Sequence, residues 1–160
     1  MKSESSEEIK KEIRDLPPKK LAELIMRLAR FKKENKELLS YLLFFSENPQ
    51  GYTDSLKLEM EEEFIELPKA SVYFTKKALR KVLRNISRQN RYMATKIANA
   101  ELLVHFCKLC MSKNLVSRKQ PVLLKIYEQQ LEKIEKLIPE LEEDLQFDFR
   151  REVEKLKIKT

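Results

Sequence analysis

One glycine in 160 residues, Gly51, constrains this chain more than any other feature. A sheet needs dense turn chemistry, with Gly, Pro, Asn and Asp clustered every few residues to reverse the chain. Here the only other strong breakers are six prolines, at Pro17, Pro18, Pro49, Pro68, Pro121 and Pro139. A chain punctuated so sparsely can join long elements but not many short ones, so the expected fold is all-α, with about eight helices and a proline near most junctions.

Apolar periodicity gives those helices an order. Ser5-x-x-Glu8 has capping-box spacing and opens a short helix carrying Ile9, Ile13 and Leu16. Leu21, Leu24, Ile25 and Leu28 form a second stripe, and Leu38, Leu39, Leu42, Leu43 and Phe45 a third, which together suggest an antiparallel hairpin. Asn48 to Gly51 reads as a loop, followed by a helix lined by Leu56, Met60, Phe64 and Leu67 that ends at Pro68. A fifth helix carries Leu79, Val82, Leu83 and Ile86; it starts near Val72 or, if Thr75 is its N-cap, a turn later. A polar segment, Gln89-Asn90-Arg91, is the expected break before a sixth helix, Ile97 to Met111, whose apolar residues cover most of its circumference and mark it as central, the alternative being one continuous helix from about Thr75 to Leu115. Ser117-x-x-Gln120 with Pro121 announces a seventh, and the pattern passes Pro139 into either a kinked continuation or an eighth.

The Leu21 to Phe45 hairpin, apolar on broad faces of both helices, resembles a HEAT-type or armadillo-type unit, and that resemblance implies a small α-solenoid of stacked hairpins. No second copy recurs at a fixed period, so an up-and-down bundle is the alternative architecture. Length suits a single domain over residues 1–160. Charge divides it into acidic-balanced hairpins at 1–68, basic central helices at 69–120 and a C-terminal helical pair at 121–160.

That division is sharp. Residues 69–120 hold thirteen lysines and arginines against one acid, Glu101, whereas the flanks are each slightly acidic. Lys76, Arg80, Arg84 and Arg88 recur every fourth residue, with Lys77, Lys81 and Arg91 widening the stripe and Tyr73, Phe74 and Tyr92 beside it as candidate stacking groups. Such a stripe seeks a polyanion or internal neutralisation. The favoured expectation is internal: Glu59, Glu62, Glu63 and Glu66 of the fourth helix, packed antiparallel on the fifth, would pair with Lys76, Lys77, Arg80 and Arg84. Nucleic acid is the alternative, with Lys76, Lys77, Arg80, Lys81, Arg84, Arg88, Arg91 and Tyr92 as its candidate binding residues.

Chemistry of other kinds finds little support. His105-x-Cys107-x-x-Cys110 cannot converge on one ion, since two residues turn a helix by about 200°. The cysteines therefore read as two small buried hydrophobes, with no disulfide framework. Glu101 and His105, four residues apart, read as an ion pair on a helix surface rather than a catalytic dyad. No Gly-rich phosphate loop and no Gly-x-Ser-x-Gly occurs, and there is one histidine. Contiguous acids such as Glu61-Glu62-Glu63 and Glu142-Glu143-Asp144 radiate around a helix as solvated faces do. Phe44-Phe45 and Phe147-x-Phe149 are expected to pack under loops. No apolar run is long enough to span a membrane. The sequence thus leads to a non-enzymatic, cytoplasmic helical interaction module with no catalytic, metal or cofactor residues, no membrane insertion, a protein partner, and nucleic acid as the alternative partner.

Overall fold

A computed structural model describes residues 2–68 and 71–158. The described residues form eight α-helices and one 3-10 turn without a strand, so the chain is all-α. The helices are α1 (Ser6–Arg14), α2 (Pro18–Phe31), α3 (Lys33–Phe44), α4 (Pro49–Ile65), α5 (Val72–Met93), α6 (Lys96–Ser112), α7 (Pro121–Leu137) and α8 (Glu143–Leu156), with the 3-10 turn at Ile138–Glu140 between the last two. Contact density divides the chain into two compact units, Met1–Phe44 and Phe45–Thr160.

In the first unit, α1 opens on the expected capping box, with the Ser5 and Glu8 side chains each bonding the other residue's backbone N–H. Pro18 fills the first position of α2, where its missing N–H leaves no bond unmade. A single extended residue, Lys32, separates α2 from α3, and the two pack on each other. Asn35 closes this joint by donating its Nδ2 to the carbonyl of Leu28 at 2.7 Å.

The second unit is organised around α6, which packs against α4, α5, α7 and α8. A helix with apolar residues on every side has no face to give to water, and so takes the middle. Ala100, Phe106 and Cys107 have no exposed surface, and Phe106 meets Phe64 of α4 edge-on with ring centroids 5.7 Å apart. Full burial of a side chain as large as Phe106 contributes about 1.5–3 kcal/mol. Polar ties close the periphery: the Tyr127 hydroxyl donates to the carbonyl of Leu156 at 2.5 Å, Lys108 pairs with Glu152, and Lys96 pairs with Glu140.

Several junctions differ from the sequence reading. Asn48 to Gly51 is not a loop: Asn48 is the N-cap of α4, Pro49 its first residue, and Gly51 lies within its first turn, donating its N–H to Asn48 Oδ1 at 2.9 Å. A Cβ on Gly51 would collide with the Asn48 amide, which explains the chain's one glycine better than a turn does. Gln89-Asn90-Arg91 is helical, and α5 stops instead at Ala94, which adopts a left-handed φ of 53°. The box predicted at Ser117 does not form; Gln120 caps α7, and Pro121 takes the first helical position. From Ile138 the chain makes a 3-10 turn containing Pro139 and starts a new helix at Glu143, so there is an eighth helix, but the proline precedes it and is not in its first turn.

Candidate nucleic-acid interface

Helix α5 starts at Val72 because Ser71 caps it, its hydroxyl oxygen accepting the Tyr73 N–H at 3.2 Å. Thr75 is not the N-cap; its hydroxyl donates to the carbonyls of Pro68 and Ser71, at 2.8 and 3.0 Å. Burial then fixes how the helix is rotated. Thr75, Leu79, Val82, Ile86, Gln89 and Met93, alternately four and three residues apart, are all buried. At about 100° per residue, Lys77, Arg80, Lys81, Arg84, Arg88 and Arg91 occupy an arc of about 100° centred on the opposite side. Lys76 sits at the edge of this arc and is half-buried, as is Arg88, whose Nη2 donates to Asn85 Oδ1 at 3.0 Å. The other five are exposed, along about 21 Å of helix at 1.5 Å per residue.

The expected internal neutralisation does not occur. Among the described residues, Lys76, Lys77, Arg80, Lys81, Arg84 and Arg91 form no ion pair, and neither do Glu59, Glu62, Glu63 and Glu66. The reason is rotational. Helix α4 turns Thr53, Leu56, Met60 and Phe64 inward, which sends Glu59, Glu62 and Glu66 into solvent, and α5 sends its cations away from its own buried stripe. Of the four glutamates, Glu63 lines the crevice between the two helices, beside Val82, Asn85 and Gln89 rather than beside a cation of the ridge.

Of the aromatics beside the stripe, Tyr73 and Phe74 are more than half exposed and contact each other edge-on at 5.4 Å. Tyr73 lies on the basic side of α5, seven and eleven residues from Arg80 and Arg84 in helical phase. Tyr92 must be withdrawn from the candidate set: it is 7% exposed, a buried ring not available for stacking.

Complementary charge is spent instead between α4 and α6. Lys57 Nζ lies 2.6 Å from Glu101 Oε2, which also accepts from Gln50 Nε2 at 3.1 Å, while Glu61 Oε1 lies 3.0 Å from His105 Nε2. Glu101 and His105 thus take separate partners on α4 and do not pair with each other. Burial opposes the Lys57 charge, but hydrogen bonding and attraction from Glu101, then Asp54, outweigh it and raise the lysine pKa. At His105 burial prevails, with Lys57 and Lys108 acting in the same sense, so its pKa falls below the ordinary 6.5 despite Glu61.

The two cysteines behave as buried hydrophobes. Cys107 is 0% and Cys110 2% exposed, both are free thiols, and burial pushes Cys107 up to about 12 and Cys110 higher still. Of the phenylalanine pairs, Phe149 is buried, Phe45 stacks at 5.1 Å on Tyr52, and Phe44 and Phe147 are exposed rather than packed under loops. No helix among the described residues is long and apolar enough to cross a membrane.

Comparison with protein-family models, with curated proteins and with solved structures finds no match to this chain. The likeness of the α2–α3 hairpin to HEAT-type units is therefore one of pattern. The sequence reading also missed a set of polar residues on three different helices, Asn90, Asn99, Gln130, Lys133 and Lys136, which the fold brings to one groove.

Proposed function

We propose that this protein is a non-enzymatic helical module that binds another macromolecule, and that its partner is a nucleic acid held by its phosphates along α5. The observation that carries the reading is the five-cation ridge of Lys77, Arg80, Lys81, Arg84 and Arg91, exposed on one side of one helix and without a carboxylate partner among the described residues. Like charges three and four residues apart on a helix destabilise it by about 0.2–0.5 kcal/mol per pair. A row of phosphates removes that repulsion and releases condensed counterions, so binding should weaken steeply with salt. Exposed Tyr73, on the same side, offers a flat ring at the start of the ridge. We take the compartment to be the cytoplasm, in keeping with two free thiols.

Fluorescence anisotropy with labelled single- and double-stranded oligonucleotides tests the reading. Engagement of the whole ridge gives a slope of log K against log salt of about −3.5 to −4.5. Lys77→Glu, Arg80→Glu and Arg84→Glu together should abolish binding at low salt. Unchanged affinity in the triple variant, or affinity indifferent to salt, overturns the proposal.

A second reading, a protein partner, is favoured by one feature of the first unit. Leu28, Phe31, Leu43 and Phe44 are each more than 60% exposed, and a groove of about 270 Å³ between α2 and α3 is lined by Ile25, Leu28, Leu38 and Leu42. Clustered apolar exposure of this kind marks docking surfaces on soluble proteins.

A further inference from the structure

Where the basic ridge ends, α5 meets α6 and α7 around a groove of about 460 Å³, within the range of about 300–1,000 Å³ that small-ligand sites occupy. Its composition is not that of an accidental cleft. Leu83, Ile86, Leu103 and Leu137 give it apolar walls; Asn90, Asn99 and Gln130 bring three carboxamides; Arg91, Lys133 and Lys136 bring three cations against one acid, Glu140, which is already paired with Lys96.

The carboxamides are the decisive part. Gln130 is 2% exposed, and its Nε2 donates to the carbonyl of Ile126 at 3.0 Å, which fixes the amide and leaves Oε1 buried without a donor. Asn90 repeats the arrangement: its Nδ2 donates to Asn99 Oδ1 at 2.5 Å, and its own Oδ1 is buried without a partner. A buried acceptor left unmatched costs about 1–3 kcal/mol, and the two residues that carry one both line this groove, which favours a ligand rich in N–H donors. The apolar walls call for that ligand to be flat and to have apolar faces. The cations require it to carry an anion.

We propose that this groove binds a nucleoside phosphate, with the base between the leucine walls donating to Gln130 and Asn90, and the phosphate held by Arg91, Lys133 and Lys136. Sugar phosphates lack the apolar faces, and fatty acids lack the donors. The inference rests on the groove and not on the α5 ridge; only Arg91 belongs to both. Two sources share this chemistry, a free nucleotide and the unstacked end of a single strand.

The test is titration of the whole ¹⁵N-labelled protein with AMP and CMP, each compared with its nucleoside and with inorganic phosphate, followed by the side-chain amide signals of Asn90, Asn99 and Gln130. The nucleoside monophosphates should shift these signals at concentrations at least about tenfold below those needed for either fragment. Lys133→Gln with Lys136→Gln, two exposed substitutions that leave the core untouched, should weaken binding about tenfold or more, and Gln130→Leu should do so where the variant folds. An eight-nucleotide single strand that displaces AMP identifies the strand end as the source, whereas AMP binding that the strand cannot displace identifies the free nucleotide; both uphold the site. Shifts produced equally by inorganic phosphate, no shifts at millimolar nucleotide, or undiminished affinity in the double-lysine variant overturn it. The ridge stands apart from these outcomes, because Lys77→Glu, Arg80→Glu and Arg84→Glu should leave AMP binding intact.

Discussion

His105 and Glu101 show how single residues can be read correctly in kind and wrongly in partner. Four-residue spacing puts them on one side of α6, and a local pair was the natural inference. Packing with α4 instead offers Lys57 to Glu101 and Glu61 to His105, contacts that depend on which helix lies across the seam. A testable consequence follows from the lowered pKa of His105, the only histidine and hence the only imidazole signal. As pH falls through 6.5, the ordinary value, the unfolded chain takes up the proton before the folded chain does. This residue therefore lowers stability between 6.5 and its folded pKa, with no further change below, and contributes nothing above 6.5. NMR titration should give a pKa under 6.5, and Glu61→Gln should depress it further by removing the one favourable charge. A value at or above 6.5 in the native protein would contradict the assignment of burial as the dominant influence.

Some helix boundaries were legible from a cap or a proline, whereas others that carry one, at Asn48 with Pro49, at Ser71 and at Thr95, were not. Ser5 with Glu8, Pro18, Pro121 and Pro139 all mark true junctions. The break between α5 and α6 falls at Ala94, a residue with no turn chemistry, so the polar run Gln89 to Arg91 drew the expectation five residues too early. The available signal was Thr95, whose hydroxyl caps α6 by accepting the Ala98 N–H at 3.2 Å, but no glutamate stands at the third helical position to complete a box. A left-handed conformation costs an L-residue about 1–2 kcal/mol, and glycine gives back about 0.5–1 kcal/mol of that in backbone entropy. Ala94 is exposed, so its methyl group contributes little packing. Ala94→Gly should therefore stabilise the protein by about 0.5–1 kcal/mol and raise Tm by about 1–4 °C in thermal unfolding. A lowered Tm would mean that the α5–α6 joint is not strained at this residue. The other left-handed residue, Asn114 after α6, has φ 54° and a side chain that tolerates it, so the same substitution there should gain less.

At the scale of the whole chain, charge and packing divide the protein differently. Sequence charge groups residues 1–68 together, whereas contacts place α4 with α5 to α8, because its Thr53, Leu56, Met60 and Phe64 stripe has its match on α6. The ridge on α5 was legible because one helix carries all of it, and a helix's period is written in its own residues. The groove was not, since its amides and cations come from three helices; the one trace was Gln130, a polar residue in phase with the inward series Leu123, Ile126, Tyr127 and Ile134. The uneven core gives a further prediction. Buried residues of the first unit are Ala29 and Tyr41, on helices of 14 and 12 residues, lengths at which isolated helices are marginal in water. The second unit holds the rest of the buried apolar side chains around α6. A chain of residues 45–160 should therefore fold alone, with helical circular dichroism and one cooperative thermal transition, whereas residues 1–44 alone should show little helix and no transition. Non-cooperative melting of 45–160 would show that the α6-centred core depends on the hairpin, and would remove the basis for treating the ridge and the groove as properties of that unit.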